Sequence, residues 1–104
     1  MLDAMLDSFY SAMENEGVKA VNIIISASSW PHDGNGNFTT LKLAETYNRN
    51  FVKRVNGGGG TPKRSDVPIE GFIFAIIDEN MKQSGVEQHW GIFNPSMQPN
   101  YNIF

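Results

Sequence analysis

The chain contains no cysteine, which excludes a disulfide framework and any thiolate metal centre without assigning a compartment. Histidine is almost as scarce. His32 and His89 are the only two, too few and too far apart in sequence to suggest a metal cluster. Basic residues number 8 against 11 acidic ones, for a formal net charge of −3. Apart from Lys53-Arg54 and Lys63-Arg64 they are dispersed, so the concentrated basic face that a phosphate backbone demands is missing and no nucleic-acid partner is expected. The longest apolar run, Phe72–Ile77, falls far short of the ~20 residues needed to cross a bilayer, so no membrane partner is expected either. The opening Met1-Leu2-Asp3-Ala4-Met5-Leu6-Asp7 is acidic and lacks the basic stretch of a signal peptide, which leaves localisation unknown.

What is present is patterned. The 104 residues have room for a single small domain that buries only part of its apolar surface. Leu2, Met5, Leu6, Phe9, Tyr10 and Met13 repeat at helical spacing and give an amphipathic helix with Asp3 and Asp7 near its start and Gly17 as its stop. Val21–Ile25 is a β-branched run that predicts a strand buried on both faces. His32–Asn37 is a cluster of turn formers. Thr39 or Thr40 can cap a second helix whose face is Leu43, Ala44, Tyr47, Phe51 and Val55.

Gly57-Gly58-Gly59-Gly60 follows that helix and leads to Thr61-Pro62-Lys63-Arg64. A phosphate-binding loop needs its glycines between a strand and a helix, followed by Lys and Ser or Thr, so this run reads as a flexible connector. Ile69–Ile77 predicts a second buried strand, ending at Asp78-Glu79-Asn80, and the aromatic tail from Gly85 has no clear period. The order is α-β-α-β plus an irregular tail, an α/β arrangement whose central strand–helix–strand unit should be parallel and right-handed. Asn37-Phe38-Thr39 fits an N-glycosylation acceptor in a surface loop, whereas Asn94-Pro95-Ser96 is disqualified by its proline.

Ser26-Ala27-Ser28-Ser29-Trp30-Pro31 resembles the Ser-Glu-Thr-Gly-Trp-Pro strand end of plant endo-1,3-β-glucanases, glycoside hydrolase family 17. The resemblance extends along the chain in order. It runs through Leu2–Asp7, Ala44-x-x-Tyr47-Asn48, Gly60-Thr61-Pro62-Lys63-Arg64 and Asp78-Glu79-Asn80-x-Lys82. It closes with Glu87-Gln88-His89-Trp90-Gly91-Ile92-Phe93 and Gln98-Pro99-x-Tyr101. It implies that residues 1–104 are one C-terminal portion of a (β/α)8 TIM barrel, with the barrel incomplete in this chain, since eight strands and about 250 residues are needed to close one.

The implied chemistry is retaining hydrolysis of 1,3-β-glucosidic linkages by two carboxyl groups about 5–5.5 Å apart. At the position of the family's nucleophile Glu this chain has Ala27, and the family's acid/base lies on an earlier strand that this chain does not contain. A methyl group cannot attack an anomeric carbon, so the chain alone is expected to be inactive and its standing as an enzyme is open. Ala27 reads as natural decay, as repurposing, or as an engineered knock-out. By the same resemblance Glu79 and Lys82 would order the nucleophile's surroundings at the C-terminal rim, and Trp30 and Phe93 would stack on glucose rings; from spacing alone Glu79–Lys82 is an exposed loop pair and the two aromatics are packing residues. His32 and His89 read as loop or packing residues. The expected partner is β-1,3-glucan, with no cofactor and no metal. The family is typically secreted or vacuolar. Two other functions compete: a β-glucan-binding module without turnover, and a piece that complements an N-terminal barrel fragment.

Overall fold

A computed structural model describes residues 1–104, with the order α1 (Leu2–Asn15), β1 (Ile24–Ser28), α2 (Leu41–Asn56) and β2 (Glu70–Ile73), and single 3-10 turns at Gly36–Phe38 and Val86–Gln88. α1 ends as its glycine predicts. Gly17 takes φ +83°, its N–H bonds to the Glu14 carbonyl at 3.0 Å, and Val18 N–H reaches back to Met13 at 2.8 Å, closing the last turn in a Schellman motif. α2 starts behind Thr40, whose hydroxyl accepts from Leu43 N–H at 3.2 Å.

β1 and β2 pair in parallel, as the strand–helix–strand unit requires, with Ile24 opposite Glu70, Ile25 opposite Gly71 and Ser28 opposite Ile73. Gly71 is what lets α2 approach. A Cβ there would stand 2.7 Å from the Phe51 ring and 3.2 Å from Ile25 Cβ, so the missing side chain is the seat of Phe51 on the sheet.

Both strands depart from the sequence reading. β1 begins at Ile24, not Val21, and it is not buried on both faces: Ile24 is half-exposed, as are Phe72, Phe74 and Ile76. β2 stops at Ile73, short of Ile77. Beyond it the chain pairs with the tail through Ala75 N–H to Trp90 O, Ile92 N–H to Ala75 O, Phe93 N–H to Ile76 O and Asp78 N–H to Phe93 O. The tail, expected to be irregular, thus carries backbone pairing of its own, with bridges Ile77–Phe93 and Phe93–Pro99.

The glycine connector is also more than a flexible spacer. A Cβ at Gly60 would run into the Arg64 carbonyl. Arg54 forks onto Asp3 of α1 at 3.2 and 3.1 Å while also donating to Gly60 O at 2.9 Å. Arg64 lies over the Tyr10 ring at 4.6 Å, and Lys63 pairs with Glu14 at 2.9 Å. The segment pins α1 against α2.

Leu6, Tyr10, Ala44, Phe51, Ile69, Ile92, Tyr101 and Ile103 form the core. The radius of gyration, 15.9 Å, exceeds the ~13 Å of a compact domain of this length, in line with an open sheet of only two strands.

Candidate functional site: the carboxyl end of the parallel strands

The register of the sheet slips at its carboxyl end. Between Ile25 and Ser28 β1 advances three residues while β2 advances two, from Gly71 to Ile73, so one extra residue is accommodated around Ser26-Ala27. Bulges re-aim side chains and concentrate beside functional sites. Ala27 lines a cleft of about 530 Å³ here, shared with Ser28, Ser29, Tyr47, Phe74, Trp90 and the start of α1.

The walls of the cleft are positioned from three elements. Ser28 Oγ and Tyr47 Oη lie 2.9 Å apart, tying β1 to α2. Trp30 donates its indole N–H to Phe38 O at 2.8 Å, which fixes the ring against the loop, and its ring lies 5.6 Å from that of Tyr47. Trp30 is 38% exposed. Across the cleft Phe74 and Trp90 meet edge to face at 6.1 Å. Ser29 Oγ is buried without a partner. No carboxylate is among the residues that line this cleft with Ala27.

Glu79 and Lys82 share a turn after β2, with Lys82 N–H bonded to Glu79 O at 3.3 Å and Lys82 Nζ 3.5 Å from Glu79 Oε2. Both side chains are about half exposed, and Gln88 braces the turn by donating to Lys82 O at 2.8 Å. Phe93 is placed elsewhere. It lines an apolar groove with Val52, Ile73, Ile76, Pro99 and Ile103, and does not line the Ala27 cleft. The structure therefore places Ala27 in the cleft, Trp30 outside its lining but against Tyr47, and Phe93 on another surface.

The two histidines, far apart in sequence, meet. His32 Nε2 lies 3.1 and 3.0 Å from the two Asp78 carboxylate oxygens, and the His89 ring stands edge-on to His32 at 5.1 Å. Gly91 N–H donates to Asp78 Oδ1 at 2.8 Å, and a Cβ at Gly91 would collide with the Ile77–Asp78 backbone. Asn100 Nδ2 donates to Asp78 Oδ2 at 2.8 Å. Spacing gave no sign of this cluster, because its members come from the loops after β1 and β2 and from the tail. Tyr101 beneath it accepts from the buried Asn48 amide at 2.6 Å; burial pushes the Tyr101 phenol above its ordinary value, opposed by the Asn48 bond and reinforced by the charge of Asp78.

The profile of Glycosyl hydrolases family 17 matches residues 1–104. The chain belongs to this family. It is 52% identical over 105 residues to "Probable glucan endo-1,3-beta-glucosidase BG4" of Arabidopsis thaliana, covering 100% of this chain and 30% of that protein. Among solved structures it superposes on CJP38, a beta-1,3-glucanase and allergen of Cryptomeria japonica pollen, with a TM-score of 0.89 at 45% identity, covering 97% of this chain and 32% of the other. It also superposes on a plant beta-glucan endohydrolase with a TM-score of 0.88 at 42% identity, over 99% and 32%. The chain thus spans about a third of the length of the family-17 proteins it matches.

Proposed function

We propose that this chain is the C-terminal portion of a (β/α)8 barrel of the endo-1,3-β-glucanase type, and that it supplies one wall of a β-1,3-glucan site without supplying the catalytic carboxylates. The observation that carries the reading is the bulged end of β1. It holds Ala27 in the lining of an aromatic cleft at the carboxyl end of parallel strands, where barrel enzymes build their sites. Retaining hydrolysis would need a carboxylate at that place to form the glycosyl intermediate and a second carboxyl group about 5–5.5 Å away to protonate the leaving oxygen. With a methyl group at 27, neither the attack nor the intermediate is available. Glu79 and Lys82, braced by Gln88, would stand at the rim, and Trp30 would stack on a glucose ring.

The half-exposed Ile24, Phe72, Phe74 and Ile76 favour a second, compatible reading. Their apolar surfaces, on strands with an open edge each, suit a partner that continues the sheet, and the remaining barrel portion of the same family is the partner of matching shape. The test is to co-express the chain with residues of a family-17 relative that precede its matched region. The purified pair is then incubated with linear β-1,3-glucan and short laminari-oligosaccharides. Oligosaccharide binding without release of reducing sugar, weakened several-fold by Trp30→Ala, is the expected result. Measurable hydrolysis with Ala27 in place would refute the inactive reading, and unchanged binding on removal of Trp30 would refute its role as a sugar platform.

A further inference from the structure

We propose that His32, Asp78 and His89 form a binding site for one divalent transition-metal ion of the zinc class, which would clasp the C-terminal tail onto the loops that follow the two strands. One candidate donor atom from each of the three lies within 4.8 Å of the others. The His32 Nε2 and Asp78 Oδ2 atoms stand 3.0 Å apart. Around a tetrahedral zinc with bonds near 2.0–2.1 Å, neighbouring donors stand about 3.4 Å apart, so this pair needs to open by only a few tenths of an ångström. His89 makes no side-chain hydrogen bond to the protein and its ring stands 5.1 Å from that of His32, centroid to centroid, so drawing its ring nitrogen toward the shared point would break no hydrogen bond of its own, while the ion would take the place of the His32 contacts to Asp78 and Asn100.

The chemistry of the donors selects the ion. Two imidazoles and one carboxylate suit zinc and its first-row neighbours, whereas calcium and magnesium take oxygen shells. The surroundings have the outer layer that ligating carboxylates need: Gly91 N–H and Asn100 Nδ2 each hold one Asp78 oxygen at 2.8 Å. The backbone brings the loops together independently of any ion, since His32 N–H bonds to His89 O at 2.9 Å and Gly34 packs on Gly85 where a Cβ would collide. His32 and Asp78 are 11% and 9% exposed, so an ion there would face few competing waters, and one water would complete its shell. The site is separate from the Ala27 cleft, and it stands or falls independently of any action on glucan.

The test is a titration of the full, tag-free chain with Co²⁺ and then Zn²⁺, read by visible absorption, calorimetry and thermal melting. One equivalent should bind, with the intense ligand-field bands of low-coordinate cobalt, displaced by zinc, and zinc should raise the melting temperature. His89→Gln leaves the His32–Asp78 pair intact and so should melt like the parent without metal, yet bind about tenfold more weakly or worse; His32→Gln should weaken binding at least as much, and also lower the metal-free melting temperature through loss of the Asp78 contact. If the metal-free chain is unfolded by circular dichroism, one equivalent of zinc should drive it to fold. Failure of zinc either to bind a folded chain or to fold an unfolded one overturns the proposal. So does binding that both variants leave unchanged, which would identify association elsewhere on the surface.

Discussion

On the proposed reading, a methyl group stands at position 27 where a carboxylate would serve, and it lacks both the attacking oxygen and the negative charge that would stabilise an oxocarbenium-like transition state. That substitution is visible in the sequence, because Trp30-Pro31 and the serines around Ala27 register the strand end. The residues that shape the site around it are less visible. Tyr47 reads as one more apolar position on a helix face, yet its hydroxyl meets Ser28 Oγ at 2.9 Å. Asn48 appears in the sequence only as part of the Ala44-x-x-Tyr47-Asn48 match, with nothing to mark it as buried, and it is fully buried against Tyr101. Tyr101→Phe should therefore destabilise the chain by about 1–3 kcal/mol in urea unfolding, since it leaves the Asn48 amide without its partner in an environment where Asn48 Oδ1 already lacks one. The raised Tyr101 pKa adds a pH dependence. Folding favours the protonated phenol, so this contribution is full below the ordinary value of 10.0 and is lost as pH rises through the higher folded-state value. Alkaline unfolding followed by tyrosinate absorbance should show this loss, and Tyr101→Phe should remove it.

At the scale of elements, the helices were readable because amphipathic spacing and caps act locally: Thr40 and Gly17 sit where a hydroxyl acceptor and a left-handed turn are needed. Strand bounds were not. Val21–Ile25 and Ile69–Ile77 are apolar enough to pair throughout, but pairing depends on what lies opposite. Here β2 leaves β1 at Ile73 and takes up the tail instead. The bulge at Ser26-Ala27 has no signature beyond small residues, and the histidine–aspartate cluster is a product of three loops converging. Gly71→Val tests the packing of α2 on the sheet. The added side chain must displace the Phe51 ring, 2.7 Å from the position of a Cβ, and should lower stability by about 1–3 kcal/mol with loss of helical ellipticity on mild heating. Thr40→Ala should cost about 1 kcal/mol through the lost cap, measured by the same melts.

For the molecule as a whole, a two-stranded sheet leaves Ile24, Phe72, Phe74 and Ile76 half-exposed, and on the proposed reading this apolar surface is covered by the preceding barrel portion. The chain by itself should bind a hydrophobic dye and associate at micromolar concentration, and supplying the preceding barrel portion should suppress both. Light scattering and dye fluorescence with and without that portion check this. The resemblance read from the sequence correctly assigned the family and the order of elements. On the proposed reading the exposure of the strands has the same origin, because residues that would face a closed barrel are apolar in sequence whether or not the rest of the barrel is at hand.

The most direct measurement is the rate of laminarin cleavage by the reconstituted pair carrying Ala27→Glu, compared with the same pair carrying Ala27. The account predicts that the carboxylate restores reducing-sugar release by several orders of magnitude, with retention of configuration at the anomeric carbon. A folded pair that binds laminari-oligosaccharides and remains inert with Glu at position 27 would contradict it.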